Sequence, residues 1–248
     1  MDKVKISIVS YLNAKPFLYG LQQSKIANDI DLQEDMPSVC AQKLLTNQVD
    51  LGLVPVAVIP SLKNYHLVSD FCIGAQGKVA SVMLYSKVPL NQITSIVLDY
   101  QSRTSVKLVQ VLAKHWWKIS PNWVPAENGF EQKINDTTAA VIIGDRTFDL
   151  NGSFPYAYDL ADEWYKLTNL PFVFACWVSN KPLVNEFVAE FNKALQLGLD
   201  SRTELVSKMR LNDYKIDVNH YLNQNIKYNF GPTQKHALHL FWDYISTL

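Results

Sequence analysis

Cysteine is scarce in this sequence of 248 residues. The three cysteines, Cys40, Cys72 and Cys176, are far apart, and no pair of them has the Cys-x-x-Cys spacing. An odd number of isolated thiols predicts neither a disulfide framework nor a thiolate zinc site. A chain of this length buries about 70–75% of the surface that it exposes when unfolded, so it needs no crosslink to be stable. The cysteine content therefore favours a reducing compartment.

An excess of charge is also missing. The 23 basic side chains balance the 23 acidic ones, which gives a formal net charge of zero. Such a balance argues against a protein that binds nucleic acid or a membrane surface broadly. No stretch approaches the roughly 18 consecutive apolar residues of a transmembrane helix. The N-terminal residues lack the apolar core of an export signal, so we expect a cytoplasmic protein.

The common catalytic motifs do not occur. The sequence has no Gly-x-Ser-x-Gly, no Gly-x-x-x-x-Gly-Lys, no Gly-x-Gly-x-x-Gly and no His-Glu-x-x-His. The usual signs of serine hydrolases, nucleotide-binding proteins and metalloproteases are therefore lacking. His236 and His239 lie three residues apart on a predicted terminal helix, but two lone histidines seldom form a metal site. We expect neither a metal nor a cofactor.

Short apolar strands alternate with helical stretches along the whole chain, which predicts an α/β fold. Two longer apolar runs, 79–86 and 172–179, bracket a middle block of about 90 residues. They are long enough to cross between two lobes as hinge strands. We therefore expect a first lobe built from residues 1–87 and 179–248, and a second lobe built from residues 88–178. Each lobe is expected to be a mixed sheet flanked by helices, with the ligand in the cleft between them.

The turns that follow the predicted strands are rich in hydroxyl groups. At 102–105, hydroxyls, a guanidinium and the N–H groups of a helix start can hold a carboxylate, although the same residues would also serve as a plain helix cap. The acidic residue at 145 either orients a ligand hydroxyl or caps the residues that follow. The pattern predicts a small-anion site. Its candidate binding residues are Ser10, Ser38, Ser102, Arg103, Thr104, Ser105, Gly144 and Asp145.

Longer stretches of the first 180 residues carry a more specific signal. They include Ser-Ile-Val-Ser-Tyr-Leu-Asn-Ala-Lys-Pro-Phe at 7–17, Val-Asp-Leu-Gly-Leu-Val-Pro-Val at 49–56, Val-Ala-Ser-Val-Met-Leu-Tyr-Ser at 79–86, Leu-Asp-Tyr-Gln-Ser-Arg-Thr-Ser-Val at 98–106 and Thr-Asn-Leu-Pro-Phe-Val-Phe-Ala-Cys-Trp at 168–177. Together they resemble the MqnA-type chorismate dehydratases of the futalosine route to menaquinone. Asn169 stands where the family pattern has glycine. Asparagine tolerates a positive φ, so we expect this turn to survive.

The resemblance implies a fold like that of the type 2 periplasmic solute-binding proteins. It also implies loss of water from chorismate, the expected small-molecule partner, to give 3-[(1-carboxyvinyl)oxy]benzoate. For this reaction Asn13 would bind the departing hydroxyl, and Ser81 would reach the cleft from a hinge strand; these are the two expected catalytic residues. Because the matched turns contain no histidine or glutamate, we hypothesise that the enolpyruvyl carboxylate of the substrate takes the proton.

Other functions share the expected fold. The related 1,4-dihydroxy-6-naphthoate synthases have a Cys/Pro/Asn-rich segment in place of residues 10–13, so the first turn favours the dehydratase. A non-catalytic receptor for small carboxylates would have the same architecture and would return its ligand unchanged. The effector domain of a transcription regulator would need a DNA-binding segment. The first predicted strand starts so near Met1 that we expect no room for one before it.

Overall fold

Eleven strands form two mixed sheets in the computed structural model, which describes residues 3–248. Residues 1 and 2 of the predicted first lobe lie outside this range. The strands are β1 (Val4–Val9), β2 (Ile30–Asp35), β3 (Leu51–Pro55), β4 (His66–Ala75), β5 (Val82–Ser86), β6 (Ser95–Leu98), β7 (Asn122–Pro125), β8 (Thr138–Ile143), β9 (Tyr156–Asp159), β10 (Phe172–Ser179) and β11 (Lys227–Asn229).

Helices cover both sheets. They are α1 (Lys15–Gln23), α2 (Pro37–Leu45), α3 (Arg103–Leu112), α4 (Arg146–Asp149), α5 (Leu160–Thr168), α6 (Asn185–Asp200), α7 (Arg202–Lys208), α8 (Val218–His220) and α9 (Pro232–Ser246). Asn169 ends α5 in the left-handed region, at φ +57°, which confirms that the asparagine supports this turn. No helix within residues 3–248 is long and apolar enough to cross a membrane.

The first sheet has the order β11-β4-β10-β3-β1-β2, and the second has the order β7-β6-β8-β5-β9. In the first sheet, β1 runs parallel to β2 and β3, whereas β10 is antiparallel to β3 and β4. In the second sheet, β6 is parallel to β7 and β8, whereas β5 is antiparallel to its neighbours β8 and β9. The predicted α/β architecture of two mixed sheets is confirmed.

The two strands expected to be hinges each lie within one sheet. β5 belongs to the second sheet and β10 to the first, so the chain changes sheet between β4 and β5 and returns between β9 and β10. The predicted boundaries at 87/88 and 178/179 therefore do not coincide with the change of sheet. All eight residues of β10 are buried. A strand covered on both faces is apolar over its whole length, so its sequence does not tell whether it crosses between lobes.

α1 and α6 touch each other backbone to backbone in the first lobe. A Cβ at Gly20 would collide with the carbonyl oxygen of Ala194, and a Cβ at Gly198 would collide with that of Pro16. Only glycine permits this approach. Because α1 directly follows a short 3-10 segment at Leu12–Ala14, the contact anchors that segment to the body of the first lobe.

Candidate active site

A cavity lies between the two lobes, at the ends of β1, β3 and β8 and at the start of α3. The centre of a water molecule can reach about 60 Å³ of this cavity, and the volume is about 520 Å³ when all space between the wall atoms and the open mouth is included. Most of the wall is apolar, with Phe174 and Ala175 of β10 and Ile73 of β4 on the first-lobe side. The polar side chains in the wall are Tyr11, Asn13, Ser81, Ser102, Thr104 and Ser105. Two lobes thus contribute hydroxyl and amide groups to one cleft that is partly open to solvent.

Charge is not part of this wall. None of the described residues that line the cavity has a charged side chain. Within residues 3–248, no group of three or more histidine, cysteine, aspartate or glutamate side chains is arranged to hold a metal ion. A bound anion would have to be held by hydroxyls, an amide and backbone N–H groups, since an anion without such partners is costly to bury.

The start of α3 provides part of that set. Ser102 is the N-cap residue, and its Oγ accepts the backbone N–H of Ser105 at 2.9 Å. The same Oγ donates to Ser105 Oγ at 2.9 Å. The first N–H groups of a helix have no partner within the helix, and they lie at the positive end of its dipole. Ser102 therefore caps the helix, as one of the two alternatives predicts, and it also lines the cavity. That this turn holds a carboxylate stays a prediction.

Arg103 does not join the site. Its side chain is exposed, and it is not among the residues that line the cavity. The expectation that its guanidinium converges with the hydroxyls is therefore corrected. The N-cap residue Ser102 and Ser105, three positions on, face the same side of the helix, whereas the residue between them at the first helical position points to solvent.

Thr104 joins the lobes. Its Oγ1 accepts the backbone N–H of Ala57 at 3.2 Å and donates to the carbonyl oxygen of Phe174 at 3.2 Å. Both partners belong to the first lobe, whereas α3 belongs to the second. The hydroxyl predicted to bind substrate is thus engaged in holding the cavity closed, and the rest of Thr104 forms part of the wall.

Asn13 lies on the 3-10 segment after β1. Its side-chain Oδ1 is buried and has no hydrogen-bond partner, although it lines the cavity. Its main-chain oxygen accepts the hydroxyl of Tyr228 at 2.9 Å. On the same segment, Tyr11 donates from its hydroxyl to Gln101 Oε1 of the second lobe at 2.5 Å. A side-chain oxygen that is buried without a partner is costly for the fold, so Asn13 Oδ1 is available to accept a hydrogen bond from a bound ligand. The Asn13 side chain also contacts the hydroxyl of Tyr221.

Ser81 lies just before β5, and its backbone is fixed on both sides. The preceding residue, Ala80, has φ +64°, which costs a residue with a Cβ roughly 1–2 kcal/mol. The carboxylate of Asp159 accepts the N–H of Ala80 at 2.7 Å. Thr147 Oγ1 donates to the carbonyl oxygen of Ala80 at 3.2 Å. The main-chain oxygen of Ser81 accepts the N–H of Gly144 at 2.9 Å. This strained conformation is therefore maintained by buried partners next to a cavity side chain.

Asp145 lies across the cleft from the 3-10 segment. Both of its carboxylate oxygens are 3.2 Å from the backbone nitrogen of Leu12, whose N–H they accept. Its side chain makes no capping bond at the start of α4, so the capping alternative is wrong. Burial raises the pKa of Asp145 from 3.8 to about 6, although the Leu12 N–H and the charge of Lys15 act in the opposite direction. Asp145 links the lobes behind the wall, and only its neighbour Gly144 lines the cavity.

Two other predicted binding residues lie away from the cavity. Ser10 is exposed, and its backbone N–H is bonded to the carbonyl oxygen of Asp35. Ser38 does not line the cavity, and Met36 rather than Ser38 is the N-cap of α2. Pro37 forms the wall there instead. Both expectations are corrected: neighbouring residues of a turn point in different directions, and the spacing alone did not identify which residue of each turn faces the cleft.

Several contributors to the site were not predicted. Tyr11 lies inside a turn that the sequence did indicate, and Phe174 belongs to an apolar run that was expected to be a hinge strand. Tyr221 and Tyr228 come from the last 70 residues, which carry no diagnostic motif. Tyr221 donates its hydroxyl to Ser81 Oγ at 2.8 Å from 140 positions away in the chain. No local sequence signal reports a contact at that separation.

A family model described as menaquinone biosynthesis matches residues 4–247. The chorismate dehydratase of Thermus thermophilus is 27% identical in an alignment of 228 positions that covers 83% of this chain and 83% of the relative. The chorismate dehydratase of Campylobacter jejuni is 26% identical in an alignment of 240 positions that covers 94% of this chain and 93% of the relative.

Solved structures show the same fold at lower sequence identity. A protein of Archaeoglobus fulgidus has a TM-score of 0.73 at 12% identity, over 99% of this chain and 97% of its own. The periplasmic aliphatic sulphonate binding protein of Escherichia coli has a TM-score of 0.59 at 14% identity, over 98% of this chain and 87% of its own. The two-lobed periplasmic-binding-protein-like fold is thereby confirmed.

Proposed function

The chain belongs to the menaquinone biosynthesis family, and we propose that it is a chorismate dehydratase, a lyase that removes water from chorismate to give 3-[(1-carboxyvinyl)oxy]benzoate. One observation carries the proposal: the cavity between the lobes brings Asn13, Ser81 and the start of α3 to one space. Relatives named as chorismate dehydratases over 83% and 94% of this chain support the same conclusion. The three free, buried thiols suit the reducing cytoplasm in which we expect it to act.

Recognition of a substrate with two carboxylates uses neutral donors. Ser105 Oγ accepts from Ser102, so Ser105 can donate its own hydroxyl hydrogen beside the N–H groups of the α3 start, where the helix dipole favours an anion. The apolar wall around them lowers the local dielectric, so each hydrogen bond to a carboxylate is stronger than it would be in water. A carboxylate held by such a hydrogen bond gains roughly 1.5–3 kcal/mol per bond.

The elimination breaks a C–H bond at the ring carbon that bears the ether and the C–O bond of the neighbouring hydroxyl. The electron pair of the C–H bond forms the new ring double bond, the hydroxyl leaves with the electron pair of the C–O bond, and the proton removed from the ring carbon completes the water molecule. The described cavity wall has no carboxylate, imidazole or amine, so the enolpyruvyl carboxylate of the substrate accepts the ring proton. Holding the two groups in reacting geometry supplies up to about 7–11 kcal/mol in favourable intramolecular cases.

Asn13 and Ser81 act on the leaving group in this scheme. The Asn13 amide donates to the departing hydroxyl, where negative charge develops in the transition state. Ser81 approaches from the other lobe and donates a second hydrogen bond. Because neither side chain is a base at neutral pH without an activating partner, both stabilise charge and fix geometry rather than remove the proton.

The test is a turnover assay with purified protein and chorismate, with no metal or nucleotide added. The proposed enzyme consumes chorismate and forms a benzoate of the expected mass, which is followed by ultraviolet absorbance and mass spectrometry. Recovery of unchanged chorismate, together with saturable binding measured by calorimetry, would contradict the proposal and indicate a solute receptor. The Asn13→Ala/Ser81→Ala double variant is the matched control for uncatalysed loss of chorismate.

A further inference from the structure

Tyr221 lies behind Ser81, outside the cavity wall, directly after α8. Its hydroxyl donates to Ser81 Oγ at 2.8 Å, and its side chain is completely buried. The ring packs edge-on against Phe148 of α4, with 5.1 Å between ring centroids. The C-terminal part of the chain thus reaches into the contact between the lobes and touches a residue of the cavity wall from behind.

The direction of this hydrogen bond determines what Ser81 can do. The Tyr221 hydroxyl is the donor of this bond, and burial holds the pKa of Tyr221 well above its usual value, so the hydroxyl keeps its hydrogen. A serine hydroxyl has one hydrogen to donate and two lone pairs that accept. Since Ser81 Oγ accepts from Tyr221, its own hydrogen is free to point elsewhere, and Ser81 lies in the cavity wall.

We propose that Tyr221 is a positioning residue that holds the Ser81 hydroxyl as a hydrogen-bond donor toward the substrate. This inference rests on the proposed function, because it assigns Ser81 a donor role in the elimination. Without Tyr221, the Ser81 hydrogen would also be free to turn back toward the vacated side. The donor would then be less often aligned with the leaving group when the C–O bond breaks.

The experiment is a double-mutant cycle of the wild type, Ser81→Ala, Tyr221→Phe and the double variant, assayed with chorismate. Tyr221→Phe keeps the buried ring and removes only the hydroxyl. We expect its kcat to fall about tenfold, which corresponds to about 1.4 kcal/mol, with little change in KM. In the Ser81→Ala background the same substitution is expected to have a much smaller effect, because the hydroxyl that it positions is already absent and only the contact of Tyr221 with the Asn13 side chain remains.

Tyr85→Phe is the matched control. Tyr85 is also buried, and its hydroxyl donates to the carbonyl oxygen of Thr147 at 3.1 Å, away from the cavity wall. We expect this variant to keep the wild-type kcat. It therefore separates the general cost of removing a buried phenol hydroxyl from the specific effect on Ser81.

Three results would overturn the inference while leaving the proposed function intact. In the first, the wild type is active and Tyr221→Phe is unimpaired. In the second, Tyr221→Phe lowers kcat equally in the wild type and in Ser81→Ala, and in the third the Tyr221→Phe protein does not fold. The last two would make the hydroxyl a structural group. A wild type without turnover would instead contradict the proposed function itself, and the inference with it. Circular dichroism and thermal unfolding of all variants distinguish these cases.

Discussion

The ring of Tyr11 lies directly against Gly144, across the cleft between the lobes. A Cβ at Gly144 would be 2.6 Å from the Cε1 atom of that ring, and the residue has φ +71°. Tyr11 also donates to Gln101 of the second lobe. The closed arrangement of the lobes at this point therefore depends on a position that has no side chain.

Gly144→Ala should prevent full closure. The methyl group would push Tyr11 away, and the positive φ would add roughly 1 kcal/mol of strain. We expect a large loss of kcat/KM for chorismate and a lower melting temperature. Gly152→Ala is the control, because Gly152 has φ +76° but nothing within 4 Å of the added Cβ. If both variants lost stability equally and both kept wild-type kcat/KM, the contact with Tyr11 would have no part in turnover.

Asn13→Ala should lower kcat far more than it changes KM. Its side chain is expected to act on the departing hydroxyl, and removal of one such donor costs about 100–1,000-fold in comparable sites. Asn13→Asp keeps oxygen acceptors but has no amide donor, so it should be impaired as well. Steady-state kinetics of the two variants provide the measurement. An increased KM at unchanged kcat would show instead that Asn13 only binds the ground state.

Asp145→Asn should retain measurable turnover, since the proposed proton acceptor belongs to the substrate. Loss of all turnover with intact chorismate binding would identify Asp145 as a protein base. The asparagine oxygen still accepts the N–H of Leu12, so we expect the lobes to close. Single-turnover kinetics and calorimetric binding are measured together for this variant.

The same variant should change the pH dependence of stability. The pKa of Asp145 is raised to about 6 in the folded protein, whereas a carboxyl of this kind titrates near pH 4 when unfolded. The folded state therefore binds the proton more tightly, and this contribution to stability is lost as the pH rises from about 4 through about 6. Asp145→Asn should gain stability relative to the wild type between pH 4 and 7 in chemical unfolding. A difference that does not vary with pH would contradict this.

Ser102→Ala and Arg103→Gln should have opposite outcomes. Ser102→Ala removes the N-cap bond to Ser105, which costs about 1 kcal/mol, and it removes a hydroxyl from the cavity wall, so KM should rise. Arg103 is exposed, and at physiological ionic strength its charge is largely screened. Arg103→Gln should therefore keep the wild-type KM. An increased KM for this variant would mean that the guanidinium turns into the cleft when substrate binds.

The elements of the fold were largely readable from the sequence. Phe172–Ser179 is a strand with the limits of the apolar run seen in the sequence, because an apolar run of that length between polar turns is typical of a buried strand. The lobe to which a strand belongs was not readable. β5 was expected in the first lobe and β10 in the second, but β5 pairs in the second sheet and β10 in the first. Pairing with distant strands decides to which sheet a strand belongs, and the composition of the strand does not report it.

The sequence predicted which turns form the site, but not which side chain of each turn faces the cavity. Asn13, Ser81, Ser102, Thr104 and Ser105 share one cavity, as the rule for strand ends and helix starts suggests. The direction of each side chain depends on the cap geometry and on contacts between the lobes. Those contacts placed Ser10, Ser38 and Arg103 elsewhere.

The backbone contact between α1 and α6 has a thermal consequence. Where Gly20 meets Ala194 and Gly198 meets Pro16, backbone atoms contact each other directly. No side chain lies between the helices at these points, so no side chain there can change its rotamer on heating. Asn13, just ahead of α1, should keep its place in the first lobe as the temperature rises. If warming changes the distance between Asn13 and Ser81, the change would therefore come from the second lobe, which carries Ser81 and the α3 start.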